Sequence, residues 1–242
     1  MGSSPIAVTA VIAAAGSGER LGAGGPKAFV PVAGRPMIDW SLRAFRGCAC
    51  VQAVVVAAPP GLERRLGAAV RVVDGGATRA ESVANALAAV ETEMVAIHDA
   101  ARPLVTAALV EALVAALAAN PEAAAVIPAS PVTDTVKRTA PADRMKTASG
   151  AEEPPNAVLV VAGTEDRSTL WAAQTPQVFR TAPLRAALAV DTATRDAATD
   201  EAMLVEAAGG TVLIHPSGPE NLKVTTPHDL RLAELLLAPR NR

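Results

Sequence analysis

Six short apolar runs alternate with helical patterns along this chain, and that alternation restricts its fold more than any other feature. The runs are Val8–Ala13, Ala53–Ala57, Val70–Val73, Met94–Ile97, Ala124–Ile127 and Thr211–Ile214. Strands that are apolar throughout have both faces covered, which is the signature of a mostly parallel sheet between helical layers. The helical segments between them have legible ends. Pro36 can take a first helical position, with Gly47 closing that helix. Thr78-Arg79-Ala80-Glu81 is a capping-box pattern ahead of Val83, Leu87 and Val90. Thr106 opens a helix with Leu109, Leu113 and Leu117 at about one-turn spacing, stopped by Asn120-Pro121. Thr199-Asp200-Glu201 opens another that ends at Gly209-Gly210. The last starts at Thr226-Pro227-His228-Asp229 and carries Leu230, Leu235, Leu236 and Leu237. The expectation is one α/β domain over residues 1–242, with helices on both faces of the sheet.

Composition narrows the function classes. The chain is 50% hydrophobic but 2% aromatic, with no tyrosine, so its interior is built from Ala, Val and Leu. A net charge of −2 without a basic tract gives no attraction to nucleic acid, and stacking platforms for single strands are missing. Cys48 and Cys50 are too close for an ordinary disulfide and lack a second ligand pair for zinc, which leaves two reduced thiols. No apolar run reaches the roughly 18 residues of a membrane span. Met1-Gly2-Ser3-Ser4-Pro5 lacks the basic start of a signal peptide, and Ile6 stands where myristoylation wants Ser or Thr. A cytoplasmic protein is the expectation.

In parallel α/β sheets, ligands bind at the carboxyl ends of the strands. Four such ends carry chemistry here. The first strand runs out through Ala14-Ala15 into Gly16-Ser17-Gly18-Glu19-Arg20, with Pro26-Lys27 following. By itself this is a tight turn or an anion site: glycines admit a ligand to the backbone, and two cations stand close by. It is not a dinucleotide fingerprint, because Leu21 stands where the third glycine belongs and the second strand runs into Ala58-Pro59-Pro60 without an acid. It is not a P-loop either, because Pro26-Lys27-Ala28 has neither the glycine nor the hydroxyl. Asp74-Gly75-Gly76 leads into the capped helix with Ser82 in its first turn. The strand after Met94 ends in His98-Asp99-Ala100-Ala101-Arg102-Pro103, and Lys223 precedes the final helix. Each has a plain reading as a cap, turn or solvated charge, and His98 reads as structural. A nucleotide polyphosphate is the ligand that their convergence suggests.

The ordered blocks Ala14-Ala15-Gly16-x-Gly18-x-Arg20, Pro26-Lys27, Gly75-Gly76-x-x-Arg79-x-x-Ser82-Val83, His98-Asp99-Ala100-Ala101-Arg102-Pro103, Pro131-Val132-x-Asp134-Thr135-Val136-Lys137, Gln174-Thr175-Pro176-Gln177, Thr199-Asp200-Glu201 and Asn221-x-Lys223-Val224-Thr225 resemble those of the 2-C-methyl-D-erythritol 4-phosphate cytidylyltransferases. The resemblance spans about residues 8–237. It implies a single-domain Rossmann-like fold with a protruding dimerisation arm at about 131–168. It also implies transfer of CMP from CTP to methylerythritol phosphate, with release of pyrophosphate, in isoprenoid precursor synthesis.

The resemblance assigns roles by position. Arg20, Lys27 and Lys223 are the catalytic cations. Ala14, Ala15, Gly16, Gly18, Gly76, Ser82 and Asp99 surround the nucleotide. Arg102, Thr135, Arg167, Thr175 and Thr199 face the second substrate, with Thr135 and Arg167 on an arm that crosses to a partner subunit of a homodimer. Mg²⁺, or another divalent cation, is the implied cofactor. Asp99 is the candidate at the metal edge, and Glu220 stands near where the family carries an acid. The segment from Arg138 to Ala157 is longer than the family pattern and rich in Ala, Pro, Glu and Lys, a composition that suggests a solvated loop.

Overall fold

The structure is a computed structural model that describes residues 6–22, 25–67, 69–139 and 159–241. The amino-terminal residues 1–5 and most of the long 138–157 segment therefore lie outside the described residues. The chain divides into two units, Met1–Ala129 with Ala173–Arg242 and, inserted between them, Ser130–Ala172.

In chain order the strands are β1 (Val8–Ala13), β2 (Pro31–Val32), β3 (Arg35–Pro36), β4 (Val51–Ala58), β5 (Arg71–Asp74), β6 (Met94–Asp99), β7 (Ala123–Pro131), β8 (Lys137–Thr139), β9 (Val161–Thr164), β10 (Trp171–Ala173), β11 (Gln177–Arg180) and β12 (Thr211–Pro216). The helices are α1 (Met37–Arg46), α2 (Glu63–Leu66), α3 (Arg79–Leu87), α4 (Ala107–Ala119), α5 (Thr181–Leu188), α6 (Thr192–Ala197), α7 (Glu201–Ala207) and α8 (Pro227–Leu237). The main sheet has the order β10-β7-β11-β6-β1-β4-β5, with β12 also paired to β7. Strands β4, β1 and β6 run parallel, as do β4 with β5 and β12 with β7. This is the mostly parallel α/β sheet that the apolar runs imply.

The pleat sorts the core. Val8, Ala10 and Ile12 of β1 pack into one cluster with Leu42 and Phe45 of α1 and Leu113 and Leu117 of α4. Val11 faces the other way, against Val83 of α3, Leu184 of α5 and Val205 of α7. Both faces of the central strands are thus dry, and at about 25 cal/mol per Å² of apolar surface this burial is the main stabilising term. With so few aromatics, the largest fully buried side chains are Phe45 and Phe179.

Several local expectations need correction. β6 does not stop at Ile97 but continues through His98 and Asp99, which pair in register with Ile12 and Ala13. Pro36 is the residue before the first helical position and ends the β2–β3 hairpin, while Gly47 caps the helix in a right-handed conformation. At α3, Thr78 accepts from the Glu81 N–H as a cap should, but the Glu81 carboxylate accepts from Ala77 N–H rather than closing the box on Thr78. The box does close at α8, between Thr226 and Asp229. Strand β11 went unanticipated. It runs antiparallel to β6 and β7, and its buried Gln177, which donates to Asp200 Oδ2 at 2.7 Å, breaks the apolar pattern. Helices α2, α5 and α6 likewise carried no sequence signal strong enough to mark them.

Within the unit Ser130–Ala172, β8 and β9 form an antiparallel ladder, Lys137 opposite Thr164. Arg138 pairs with Glu165 at 2.8 Å, and Val132 N–H donates to the Leu170 carbonyl.

Candidate active site

A cavity of about 290 Å³ opens where β1, β5 and β6 end. Its walls come from four segments: the Ala13–Gly16 strand exit with Lys27, the Gly76–Arg79 turn with Ser82, the Asp99–Ala101 turn, and Lys223. That volume is close to the low end of small-ligand pockets and is of nucleoside scale.

The glycine-rich exit is shaped to bring a cation back to the strand. Ala14 N–H extends the sheet by donating to the Ala57 carbonyl at 2.8 Å. The chain then loops out, and Lys27 N–H donates to the Gly16 carbonyl at 3.0 Å. Gly18 permits this return: its φ is +79°, and a Cβ there would lie 3.1 Å from the Lys27 Cβ. The opposite wall is as tight, since a Cβ on Gly75 would stand 2.3 Å from that of Ala15. Side chains larger than these would fill the cavity floor. Ser82 organises the second turn from beneath. Its hydroxyl accepts from Gly76 N–H at 2.9 Å and donates to the Thr78 carbonyl at 2.9 Å.

Charge is arranged as an alternating string. Asp99 Oδ1 accepts from Arg79 Nε at 2.8 Å, and its Oδ2 meets Lys223 Nζ at 2.7 Å. Arg79 Nη1 in turn reaches Glu201 Oε1 at 2.7 Å. Burial by itself pushes the Asp99 carboxyl up, but Arg79 and Lys223 outweigh it and hold it well below the usual carboxylate range. Burial also pushes Arg79 down, and Asp99 with Glu201 more than reverses this, so the guanidinium stays charged. Glu201, 1% exposed, goes the other way: burial raises it and Arg79 offsets only part. Deleting Arg79 would leave the buried carboxylates Asp99 and Glu201 without the cation between them, at a cost of about 3–5 kcal/mol, whereas the more exposed Lys223 is screened by solvent.

Behind Asp99 lies His98, fully buried and edge-on to Phe45 at 5.4 Å between ring centroids. Its ring nitrogens meet Ser41 Oγ and Thr175 Oγ1, each at 3.2 Å. Burial pushes this histidine down to about 3, with Asp99 only partly opposing. It is structural, as the sequence reading has it, and neutral. In the unfolded chain it titrates near 6.5, so the unfolded state binds the extra proton first as pH falls. The stability that a neutral His98 contributes is therefore fully present above pH 6.5 and lost as pH falls towards 3. His98 alone contributes a slope approaching 1.4 kcal/mol per pH unit between pH 6 and pH 5 (about one proton), which the raised Glu201 carboxyl opposes. NMR of the folded protein should therefore show the His98 ring neutral at pH 5, and a ring protonated there would contradict a neutral buried imidazole.

The remaining sequence candidates are distributed as follows. Ala14, Ala15, Gly16, Lys27, Gly76, Ser82, Asp99 and Lys223 line the cavity, and Gly18 supports Lys27. Arg102 follows Asp99, donating from Nη1 to the Asn221 carbonyl at 2.7 Å and from Nη2 to that of Ala173 at 3.3 Å. Its buried Nε has no hydrogen-bond partner among the described residues. Thr175 is buried, and its hydroxyl accepts from Asp99 N–H at 3.0 Å. Thr199 is exposed, and neither it nor Glu220 is a lining residue; the Glu220 carboxylate folds against Gly218. Arg20 lies in a one-turn helix, Glu19–Leu21, with its side chain outside the described set. Thr135 and Arg167 belong to the unit Ser130–Ala172, where the Arg167 guanidinium donates to the Thr133 carbonyl.

Two residues of the string, Arg79 and Glu201, received no site role from sequence. Both stand at helix starts inside the recognisable blocks, where they read as parts of caps. The signal that could have found them is opposite charge in two separate blocks aimed at one sheet edge.

No helix among the described residues is long and apolar enough to cross a membrane. The family model for 2-C-methyl-D-erythritol 4-phosphate cytidylyltransferase matches residues 8–239. The chain is 44% identical over 237 residues to the bifunctional enzyme IspD/IspF of Anaeromyxobacter dehalogenans, covering 95% of this chain and 57% of that protein, so it spans little more than half of that relative. It is 41% identical over 244 residues to the 2-C-methyl-D-erythritol 4-phosphate cytidylyltransferase of Symbiobacterium thermophilum, covering 98% of this chain and 95% of the other. The crystal structure of the 2-C-methyl-D-erythritol 4-phosphate cytidylyltransferase from Thermus thermophilus superposes with a TM-score of 0.74 at 36% identity, over 96% of this chain and 98% of that one. Fold, ordered blocks and whole-chain similarity agree, and this chain belongs to the 2-C-methyl-D-erythritol 4-phosphate cytidylyltransferase family.

Proposed function

We propose that this chain transfers CMP from CTP to 2-C-methyl-D-erythritol 4-phosphate and releases pyrophosphate. The observation that carries the reading is the pairing of a small-residue cavity with cations and without an activated nucleophile. Lys27, Arg79 and Lys223 line it. Its hydroxyls are committed: Ser82 to Gly76 and Thr78, and Thr78 to Glu81 N–H and Asp196. A reaction between two phosphates needs neither nucleophile nor base from the protein. The acceptor phosphate, with a second pKa of about 6, is already largely ionised near neutrality. Its oxygen bonds to the α-phosphorus of CTP as the bond to the β-phosphate oxygen breaks, and pyrophosphate leaves with the electron pair. The barrier is one of charge, which positioned cations lower.

Mg²⁺ fits this site as a companion of the triphosphate. Mg²⁺ commonly rests on one or two carboxylates plus substrate phosphates rather than in a protein cage. Asp99 is the one carboxylate among the lining residues, and no trio of His, Cys, Asp or Glu gathers to hold a metal among the described residues. Asp99 would hold the ion directly or through water, and the ion would neutralise triphosphate charge. Glu220 is not among the lining residues, and its carboxylate lies beside Gly218. CTP and methylerythritol phosphate should yield pyrophosphate and the cytidine diphosphate ester in equal amounts. EDTA should abolish this and excess Mg²⁺ restore it, while a zinc-selective chelator changes nothing. Full turnover in thoroughly chelated buffer would rule out the metal.

The same reading includes a cytoplasmic homodimer whose arms, about 131–168, complete the neighbouring sites through Thr135 and Arg167. In support, Leu159, Val160 and Val161 are each more than half exposed, an apolar stretch of the kind that marks protein contacts.

A further inference from the structure

Asp99 holds two cavity cations at once, so anything that fixes Asp99 fixes both. Its carboxylate divides one oxygen to Arg79 and one to Lys223. Its backbone N–H does not donate to a main-chain carbonyl but to the Thr175 hydroxyl, at 3.0 Å. Thr175 stands just ahead of β11, in which Gln177 is already paired with Ile97, so the hydroxyl takes the place of the next ladder acceptor. From Thr175 the contact passes to His98 Nδ1, and from His98 Nε2 to Ser41 Oγ in α1. All four residues are buried, Ser41 and His98 completely.

A neutral imidazole carries one N–H and one lone pair, so either tautomer keeps this chain continuous. The far end is anchored to the other cation's turn. Met37 N–H, at the start of α1, donates to the Val30 carbonyl, and Val30 N–H donates to that of Lys27. Buried polar chains rigidify what they connect when every member is satisfied, because a broken link leaves an unpaired group in a low-dielectric interior.

We infer that Ser41, His98 and Thr175 form a buried positioning chain that sets Asp99, and through it Arg79 and Lys223, for cytidylyl transfer. In this role the three act through the Asp99 backbone. The inference rests on the proposed transfer reaction for its kinetic consequence, though not for its structural one.

The test uses the full-length protein with Ser41→Ala, Thr175→Val and Thr175→Ser, since His98 variants risk failing to fold. Ser41→Ala should lower kcat about tenfold with KM for both substrates within about twofold. Thr175→Val should lose more, and Thr175→Ser should recover at least about tenfold of that loss by restoring the hydroxyl. The deciding comparison is Ser41→Ala in an Asp99→Asn background, where residues coupled through Asp99 give a strongly non-additive result. There the extra loss should shrink to less than about twofold. In parallel, ¹⁵N-aspartate labelling reads the Asp99 amide directly, which should shift in Ser41→Ala while that of Asp229 stays in place. Equal losses in both backgrounds, or an unmoved Asp99 amide, would overturn the inference. An inactive wild-type protein would instead overturn the transfer reaction, and the amide shift alone would then decide the positioning chain.

Discussion

Lys27→Ala should lower turnover by about a hundredfold or more while raising the KM for CTP only a few-fold, as removing one oxyanion-type contact does. The split matters because a cation that helps only binding would raise KM and leave kcat alone. Lys27 is placed for the first behaviour. It lines the cavity at the strand exit, its N–H is fastened to the Gly16 carbonyl, and its Cβ is packed against Gly18. On the proposed reading, a side chain anchored at its base meets the negative charge that develops at the α-phosphorus. Near-normal kcat in this variant would remove Lys27 from the transition state. Arg20→Ala should follow the same pattern, because the family resemblance points both cations at the same triphosphate.

A mixture of two inactive variants should recover activity if the arms are shared. Arg167→Ala and Lys27→Ala homodimers should each be nearly dead, one lacking the arm's cation and the other the cavity's. After subunit exchange, random pairing makes about half the dimers hybrids of a two-fold assembly. In each hybrid, one composite site carries both defects. The other takes an intact Lys27 from one chain and an intact Arg167 from its partner, so an equal mixture returns about a quarter of wild-type activity. Were Arg167 to serve its own chain, every site would keep one defect and nothing would return. Subunit exchange, followed by mass spectrometry of differently labelled chains, makes an inactive mixture informative.

What the sequence discloses of this fold follows from how each element gains its stability. Strands such as Val8–Ala13 and Met94–Asp99 are buried on both faces, so hydrophobicity alone marks them. β11 is stabilised by pairing on both edges and by a buried glutamine, which leaves no apolar run to read. The helix starts at Thr78, Thr106 and Thr226 were legible because a capping side chain must sit at a fixed spacing from the N–H it satisfies. The cavity's small residues and its two lysines were legible for a similar reason: a backbone approached by phosphate excludes side chains and attracts cations. Arg79 and Glu201 were not, because their pairing joins positions 122 residues apart. Thr175 shows the same limit. Its block identifies the family, but its burial and its bond to Asp99 N–H exist only in three dimensions.

Cytidylyl transfer itself is decided by pyrophosphate release from each of the four NTPs, assayed with methylerythritol phosphate and with glucose 1-phosphate in Mg²⁺ buffer. If the small-residue walls read the cytosine edge through their backbone groups, as the family resemblance implies, uracil or a purine would leave polar groups unpaired, a penalty of about a hundredfold or more. CTP with methylerythritol phosphate should therefore exceed every other pair by at least about that factor. Comparable release from UTP and glucose 1-phosphate, or none from CTP and methylerythritol phosphate, would contradict the assigned reaction.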